Sequence, residues 1–402
     1  MLAPFGLAPK STVRMRALPL AEALVARGHR VTMIVPPWDD PGRSGQEWSE
    51  DGVTVRHIEL PRRLPTWGIA HRLRGAARAA QADVIHVFKP KGYGALAALG
   101  LERRYPLVVD TDDWEGRGGW NEVGDYSSAQ RAVFAWQERS LPRRAAAATV
   151  ASRTLETQLW GFGLPRDGVT YLPNGISGKR HGEWARTREG AAAVRERLGL
   201  AGVPTILLYT RFVEFPPERP VAILRAVRER VPDAHLIIVG GGLRGEEEAM
   251  FAEAGRAGLA DAITHLPWVE WAELPATLAA GDVAILPYDD TLLNRAKCSV
   301  KTLDLMVAAR AIVADAVGQN AEYLEHGTSG LLAPPGDVAA FAGAVGDLLG
   351  KPARRAALGE AAERRAWASF GWERLVERAE RTYEGALTRR TPLARWGRGV
   401  PR

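Results

Sequence analysis

Short runs of aliphatic and β-branched residues alternate with stretches of helical periodicity along almost the whole chain. An apolar run over 1–5 leads into the breaker-rich loop Gly6 to Thr12, then a helix pattern over 14–27 that Gly28 can end, then a strand over 30–35. The alternation continues with strands over 53–60, 83–88 and 106–110 and helices over 67–80 and 93–101, followed by strands over 145–151 and 169–172. Runs such as Val84 to Phe88 and Leu107 to Val109 are apolar without interruption, as expected when helices cover both faces of a parallel sheet.

From 177 to 189 the chain turns hydrophilic, which predicts a linker with a domain boundary near residue 185. Beyond it the pattern repeats, with strands over 204–210, 235–239, 263–266, 283–286 and 311–314, a hairpin-like segment over 327–332, and helices over 337–349 and 351–383. The fold class is therefore α/β, with two Rossmann-like parallel-sheet domains facing a cleft. The expected division is 1–180, 185–375, and a terminal helix with a basic tail over 376–402.

Candidate chemistry belongs just past the carboxyl ends of such strands. The richest stretch is 282–315, where a strand, a polar loop, a helix and a further strand follow one another. Ser299 is placed to cap that helix, and Lys297 and Lys301 flank its start, so backbone N–H groups, the positive helix end and two ammoniums converge on a site for an anion such as a diphosphate. The chain has only seven lysines, so two within five residues stand out. Other strand ends carry Arg211, the glycines Gly240 to Gly242, and the tight turn Asn174-Gly175. In the first half, Lys89 and Lys91 follow one strand, and Asp110, Asp112, Asp113, Trp114 and Glu115 follow the next. That acidic cluster can ligate Mg²⁺ or bind hydroxyls, and an aromatic ring among carboxylates suits a sugar. GxGxxG is absent from the first loop, which removes the best support for a dinucleotide site.

Composition narrows the picture less. The 402 residues are 46% hydrophobic and 25% charged, with net charge +6 and pI near 9.6, as for a globular protein that meets anionic partners. One cysteine, Cys298, excludes an intrachain disulfide and fits a reducing compartment. No apolar run reaches the ~18 residues of a membrane span, and the start lacks an export signal, so a cytoplasmic location is expected. Arg62, Arg63, the basic helix around Arg72 to Arg78 and five arginines after Thr388 favour either a solvated surface or peripheral contact with an anionic inner leaflet. No aromatic-basic module points to nucleic acid.

The segments GHRVTMIV, DVIHVF, TVAS and YLPNGIS, then ILLYTRF, HLIIVGGG, ITHLPWV, DVAILPY, KTLDLM and AIVADAVGQNAEYLEHGTSGLLAPPGD, resemble the retaining GT-B glycosyltransferases of family four over nearly the whole chain. The resemblance implies a donor-binding C-terminal domain, an acceptor-binding N-terminal domain and a final helix that crosses back to the first. It implies sugar transfer with retained configuration from a UDP- or GDP-sugar to a glycan, lipid carrier or small molecule, without an obligatory metal or other cofactor. An epimerase or hydrolase acting on a nucleotide sugar, or a non-catalytic binder, is the alternative on this architecture. On that reading Arg211, Asp112 and Lys301 are catalytic. The donor-binding set is Gly6, Lys10, Asn174, Arg211, Gly241, Asn294, Lys297, Ser299, Val300, Lys301 and Asp304, and the acceptor-binding set is Asp110, Asp112, Asp113 and Trp114; no metal site is assigned. Three positions depart from the family: Pro216 where a lysine is usual, Ala296 where the first acid of a pair is usual, and Asp112 where a histidine is frequent. Sugar-hydroxyl recognition then falls to Asp289, Asp290 or Asn294.

Overall fold

The structure, a computed structural model, describes residues 1–7, 12–61, 66–242 and 244–389. It divides into two compact units, the first comprising 1–175, 296–298 and 372–402, the second 176–295 and 299–371.

In the first unit, strands β1 (Thr32–Val35), β2 (Glu47–Glu50) and β3 (Val53–His57) pair in the order β1-β3-β2. Strands β4 (Ile85–Phe88), β5 (Leu107–Thr111), β6 (Ala147–Val150) and β7 (Val169–Tyr171) form a parallel run in chain order. The strand expected over 1–5 is reduced to a bridge at Leu2, which pairs in parallel with Ile34 on one side and Val87 on the other and so joins the two sets. The order then reverses at Leu2, and the loop after it and the turn after β4 lie at a topological switch point.

The sheet is not wholly parallel. Strand β2, Glu-Trp-Ser-Glu, runs antiparallel to β3. Its polar alternation hid it from a search for apolar runs, because an edge strand exposes one face. The helix Ser128–Ser140 also escaped the pattern: its first nine residues are mostly exposed, and a capping box from Ser127 and Gln130 secures its start instead.

The second unit holds β8 (Thr205–Tyr209), β9 (His235–Val239), β10 (Ile263–Leu266), β11 (Val283–Leu286), β12 (Ala311–Asp315) and β13 (Leu331–Ala333) in the order β10-β9-β8-β11-β12-β13, all parallel. This is the doubly wound order, with its switch point between β8 and β11. The segment over 327–332 is no hairpin, since β13 adds parallel to β12.

The expected linker over 177–189 is folded into the second unit. The unit break falls after Gly175, and the segment contains the turns Gly178–His181 and Trp184–Thr187, with His181 and Trp184 buried. Composition misleads here because the two buried side chains are spaced among exposed Lys, Arg and Glu.

The long helical run over 351–383 breaks at Gly371 into Pro352–Phe370 and Trp372–Thr388. Trp372, Leu375, Val376 and Ala379 join the core formed by Leu18, Leu20 and Leu24 of helix Leu18–Ala26, so the terminal helix belongs to the first unit. Among the described residues no helix is long and apolar enough to cross a membrane. On helix Thr66–Ala79, Arg72 and Arg78 are exposed, whereas Arg74 donates to the carbonyls of Leu96 and Ala97. Arg62, Arg63 and the tail over 390–402 lie outside the described residues.

Candidate active site

In the second unit, β8 ends at Tyr209 and the following loop is braced from within. Thr210 Oγ1 accepts from the backbone N–H of Phe212 at 2.8 Å and donates to Glu214 Oε2 at 2.9 Å. The brace holds Phe212 at φ +62°, an uncommon conformation for a bulky residue. Strand β9 ends at Gly240, whose φ is +107° and whose missing Cβ would fall 2.2 Å from Thr210 O, so only glycine lets the two loops approach. Arg211 projects from the braced loop into solvent.

Across the switch point stands helix Val300–Val307. Ser299 occupies its N-cap position, but its side chain does not cap it; Ser299 shares a hydrogen bond with the buried Tyr288 instead. The predicted cap is therefore positional only: Ser299 does not cap the first N–H groups, where an anion is favoured. Lys301 places Nζ 4.7 Å from the Tyr209 ring centroid. Burial raises the Tyr209 phenol well above its ordinary value, as does the charge of Asp304, against the pull of Arg180 and Arg211. Arg180, Arg211 and Asp304 thus act by charge on the phenol over whose ring Lys301 sits.

Arg180 is a residue that sequence reasoning missed, because it lies in the supposed linker. Its guanidinium sits 3.8 Å from the Trp271 ring centroid. Asp304 is buried with Oδ1 3.2 Å from His181 Nε2, and the His181 ring packs against Trp184 and Trp271. Val300 is half-buried at the helix start, and Gly241 lies beside Gly242, whose N–H donates to Glu247 Oε2 at 2.9 Å.

Other expected donor residues lie in different settings. Asn294 is buried and donates to the carbonyls of Glu214 and Asp289, which ties two loops together. Asp289 pairs with Arg219 at 2.8 Å, and Asp290 pairs with Arg295. Lys297 groups with the first unit, as do Ala296 and Cys298. Asn174 hydrogen-bonds Cys298 through its backbone N–H and its amide, and accepts from Arg16 Nη1 at 3.0 Å. Gly6 is buried in the first unit, and Lys10 lies outside the described residues.

In the first unit, the acidic loop is built from the ends of β4 and β5. Asp110 is fully buried, and both its oxygens are engaged: Arg16 Nε and Nη2 grip it at 2.7 and 2.6 Å, and Thr149 Oγ1 donates at 2.6 Å. Burial would raise the Asp110 carboxyl, but Arg16 holds it below its ordinary value. His86, pulled down to about 3 by burial, is neutral. Because the Thr149 hydroxyl donates to Asp110, His86 Nε2 donates to Thr149 and Nδ1 accepts from Tyr383.

Next along the loop, Lys89 Nζ meets Asp112 Oδ1 at 3.2 Å, Asp113 Oδ2 at 2.5 Å and Glu115 Oε1 at 3.5 Å. Lys91 Nζ meets Glu115 Oε2 at 2.5 Å and lies over the rings of Tyr126 and Phe134. Asp113 Oδ1 accepts from Trp120 Nε1 at 2.9 Å, and Trp114 Nε1 donates to Arg117 O at 3.0 Å. Glu138, from helix Ser128–Ser140, accepts the backbone N–H of Glu115 at 2.7 Å. The loop is therefore a charge-paired, backbone-pinned structure, and its position follows from the strand ends rather than from local turn chemistry.

Burial pushes both Asp112 and Glu138 up to about 7, in Asp112 against the charge of Lys89 and in Glu138 against hydrogen bonds from Glu115 and Gln158. In the unfolded chain both carboxyls titrate near ~4. Between about pH 4 and about 7 these two groups therefore keep protons in the folded state that the unfolded state has lost, and their contribution to stability falls as pH rises through that window. Asp110 contributes with the opposite sign, but only below its unfolded value, outside the window. Buried His86, lowered to about 3, and the buried Met1 amine, lowered to about 5, also contribute with the opposite sign, so the readout is a difference. The urea-midpoint advantage of wild type over an Asp112→Asn/Glu138→Gln variant should shrink from about pH 4.5 to about 7. Equal slopes in the two proteins would refute the assignment.

Residues 11–175 match the glycosyl transferase 4-like domain, and residues 205–351 match the glycosyl transferases group 1 domain. The GDP-mannose-dependent alpha-(1-6)-phosphatidylinositol monomannoside mannosyltransferase of Mycolicibacterium smegmatis is 27% identical over 363 residues, 87% of this chain and 88% of that protein. A glycogen synthase of Mycobacterium tuberculosis is 26% identical over 397 residues, 91% of this chain and 89% of that protein. Among solved structures, sucrose-phosphate synthase from Thermosynechococcus elongatus superposes with a TM-score of 0.71 at 18% identity, covering 95% of this chain and 98% of the other. Anabaena HepE in complex with UDP and glucose gives 0.70 at 18% identity, covering 95% and 99%. With two doubly wound parallel-sheet units of GT-B type and both domain matches in register with them, the chain belongs to the group 1, family four glycosyltransferases, enzymes that use a nucleotide-sugar donor.

Proposed function

We propose that the chain is a retaining glycosyltransferase whose second unit holds a UDP- or GDP-sugar and whose first unit presents the Asp112 loop to a hydroxyl of the acceptor. The observation that carries this reading is Lys301 over the Tyr209 ring, with the charges of Arg180 and Arg211 acting on its phenol, beside a helix start that Ser299 does not cap, at the β8/β11 switch point. Breaking the glycosidic bond to a nucleoside diphosphate leaves negative charge on the phosphate oxygens. Fixed cations and the N–H groups of a helix start stabilise that charge without reorganising at the moment of reaction.

The relative from Mycolicibacterium smegmatis is named for GDP-mannose, and HepE was solved with UDP, which supports nucleoside diphosphates of either base. Retention, and a reaction without an obligatory metal, rest on the family resemblance. A lipid-borne acceptor at an anionic leaflet is compatible with the phosphatidylinositol monomannoside in the name of that relative and with exposed Arg72 and Arg78. Epimerisation, hydrolysis and non-catalytic binding draw no support from the mannosyltransferase and the two synthases named above.

A thermal-shift screen over UDP, GDP, ADP and their sugars tests the donor assignment. A nucleotide at about 100 times its Kd should add roughly 2.7 kcal/mol to the folded state, and Asp304→Ala should shrink the shift. A flat response to every nucleotide would sink the reading.

A further inference from the structure

We propose that the ring which accepts the sugar is a neutral polyol, carrying neither phosphate nor carboxylate where it meets the Asp112 recess of the first unit. The inference rests on the glycosyltransfer reading above and names the substrate class for its acceptor side.

The recess is lined by Phe5, Val13 and Phe88 on its apolar side and by Arg16, Lys89 and Asp112 on its polar side. The recess has room for about one water, so it admits a single hydroxyl of the acceptor rather than its ring, and a sugar or cyclitol presents such hydroxyls around its rim. Asp112 is buried, and its Oδ1, 3.2 Å from Lys89 Nζ but without hydrogen-bond alignment, has no hydrogen-bond partner among the described residues. In the same segment the hydroxyl of Thr111 and both amide atoms of Asn121, all buried, also lack hydrogen-bond partners among the described residues. Buried polar atoms are ordinarily satisfied, and an acceptor lone pair turned toward a recess invites an O–H donor.

The charges argue against an anion. Arg16 is taken by Asp110, Lys89 is shared among Asp112, Asp113 and Glu115, and Lys91 is held by Glu115. Three cations thus face four carboxylates, with Glu138 behind Glu115 as a fifth and His86 neutral. Among the described residues no ammonium or guanidinium of this cluster is left for a ligand, and a phosphate would enter a site with negative or zero net charge, where burial without a counter-ion is strongly unfavourable. A neutral hydroxyl faces no such cost and supplies an aligned donor to Asp112 Oδ1.

The test uses the full chain with saturating donor and matched acceptor pairs: methyl α-mannopyranoside against mannose 6-phosphate, and myo-inositol against its monophosphate. Transfer is measured as kcat/KM, and binding separately by saturation-transfer NMR with the nucleoside diphosphate present. The neutral member should be favoured by roughly tenfold or more, and Asp112→Asn should weaken its binding by a similar factor. The nucleotide thermal shift, which reports on the second unit, should not change in Asp112→Asn. Asp112→Lys, which adds a cation, should narrow or reverse the discrimination. Equal or better binding and transfer with the phosphorylated members of wild type would overturn this inference while leaving glycosyltransfer intact. Loss of every nucleotide-induced shift would overturn glycosyltransfer and the inference together.

Discussion

Arg211→Ala should lower kcat by about 10² to 10³-fold, equivalent to ~2.7–4 kcal/mol of barrier, the usual cost of deleting one fixed donor at a site of developing negative charge. The side chain is exposed at the carboxyl end of β8, on a loop held by the Thr210 and Glu214 hydrogen bonds, so truncation removes charge without opening a core. The loss should appear in kcat more than in KM, because charge on the diphosphate grows as the glycosidic bond breaks. Steady-state kinetics with the donor found by thermal shift measures both parameters. A kcat within about twofold of wild type would remove Arg211 from the machinery.

Arg16→Met should destabilise the first unit by ~3–5 kcal/mol, because it strands a buried carboxylate that now receives two charge-assisted hydrogen bonds. Asp110→Leu strands the guanidinium and should cost a comparable amount, whereas the double variant Arg16→Met/Asp110→Leu should recover much of the loss, since an apolar pair leaves no uncompensated charge. The contribution of Asp110 is present above its unfolded value and lost as pH falls through its lower folded value, so the gap between wild type and Arg16→Met should narrow in strong acid. With two units, one global unfolding energy is ill-defined. Native-state hydrogen exchange resolved by segment is the suitable measurement. Exchange should quicken in β4 to β7 and stay unchanged in β8 to β13; protection unchanged in both units would show that the ion pair carries no stability.

Much of the architecture was legible because buried parallel strands are written as continuous apolar runs. Val84 to Phe88 and His235 to Val239 needed no tertiary information to be placed. Features with little apolar content were not legible: β2 shows an edge pattern, and the turns over 178–187 hide His181 and Trp184 among charged neighbours. At the proposed donor site the sequence pointed to the glycines, Arg211 and Lys301, since strand ends locate such groups, whereas Lys297 groups with the first unit. The sequence did not point to Arg180, whose place beside Trp271 depends on packing between segments some ninety residues apart.

By itself, then, the sequence determined the α/β class, the two parallel-sheet units and the loops from which chemistry would come. Those follow from periodicity and strand ends, which are local along the chain. Only the tertiary structure decided what each polar group faces. It buried Asp110 against Arg16, left Asp112 Oδ1 short of an aligned donor, set Lys301 over the Tyr209 ring, and turned Asn294 to the carbonyls of Glu214 and Asp289. The reason is that charge pairing and desolvation act through space, and the distances that set them are fixed only when distant segments pack.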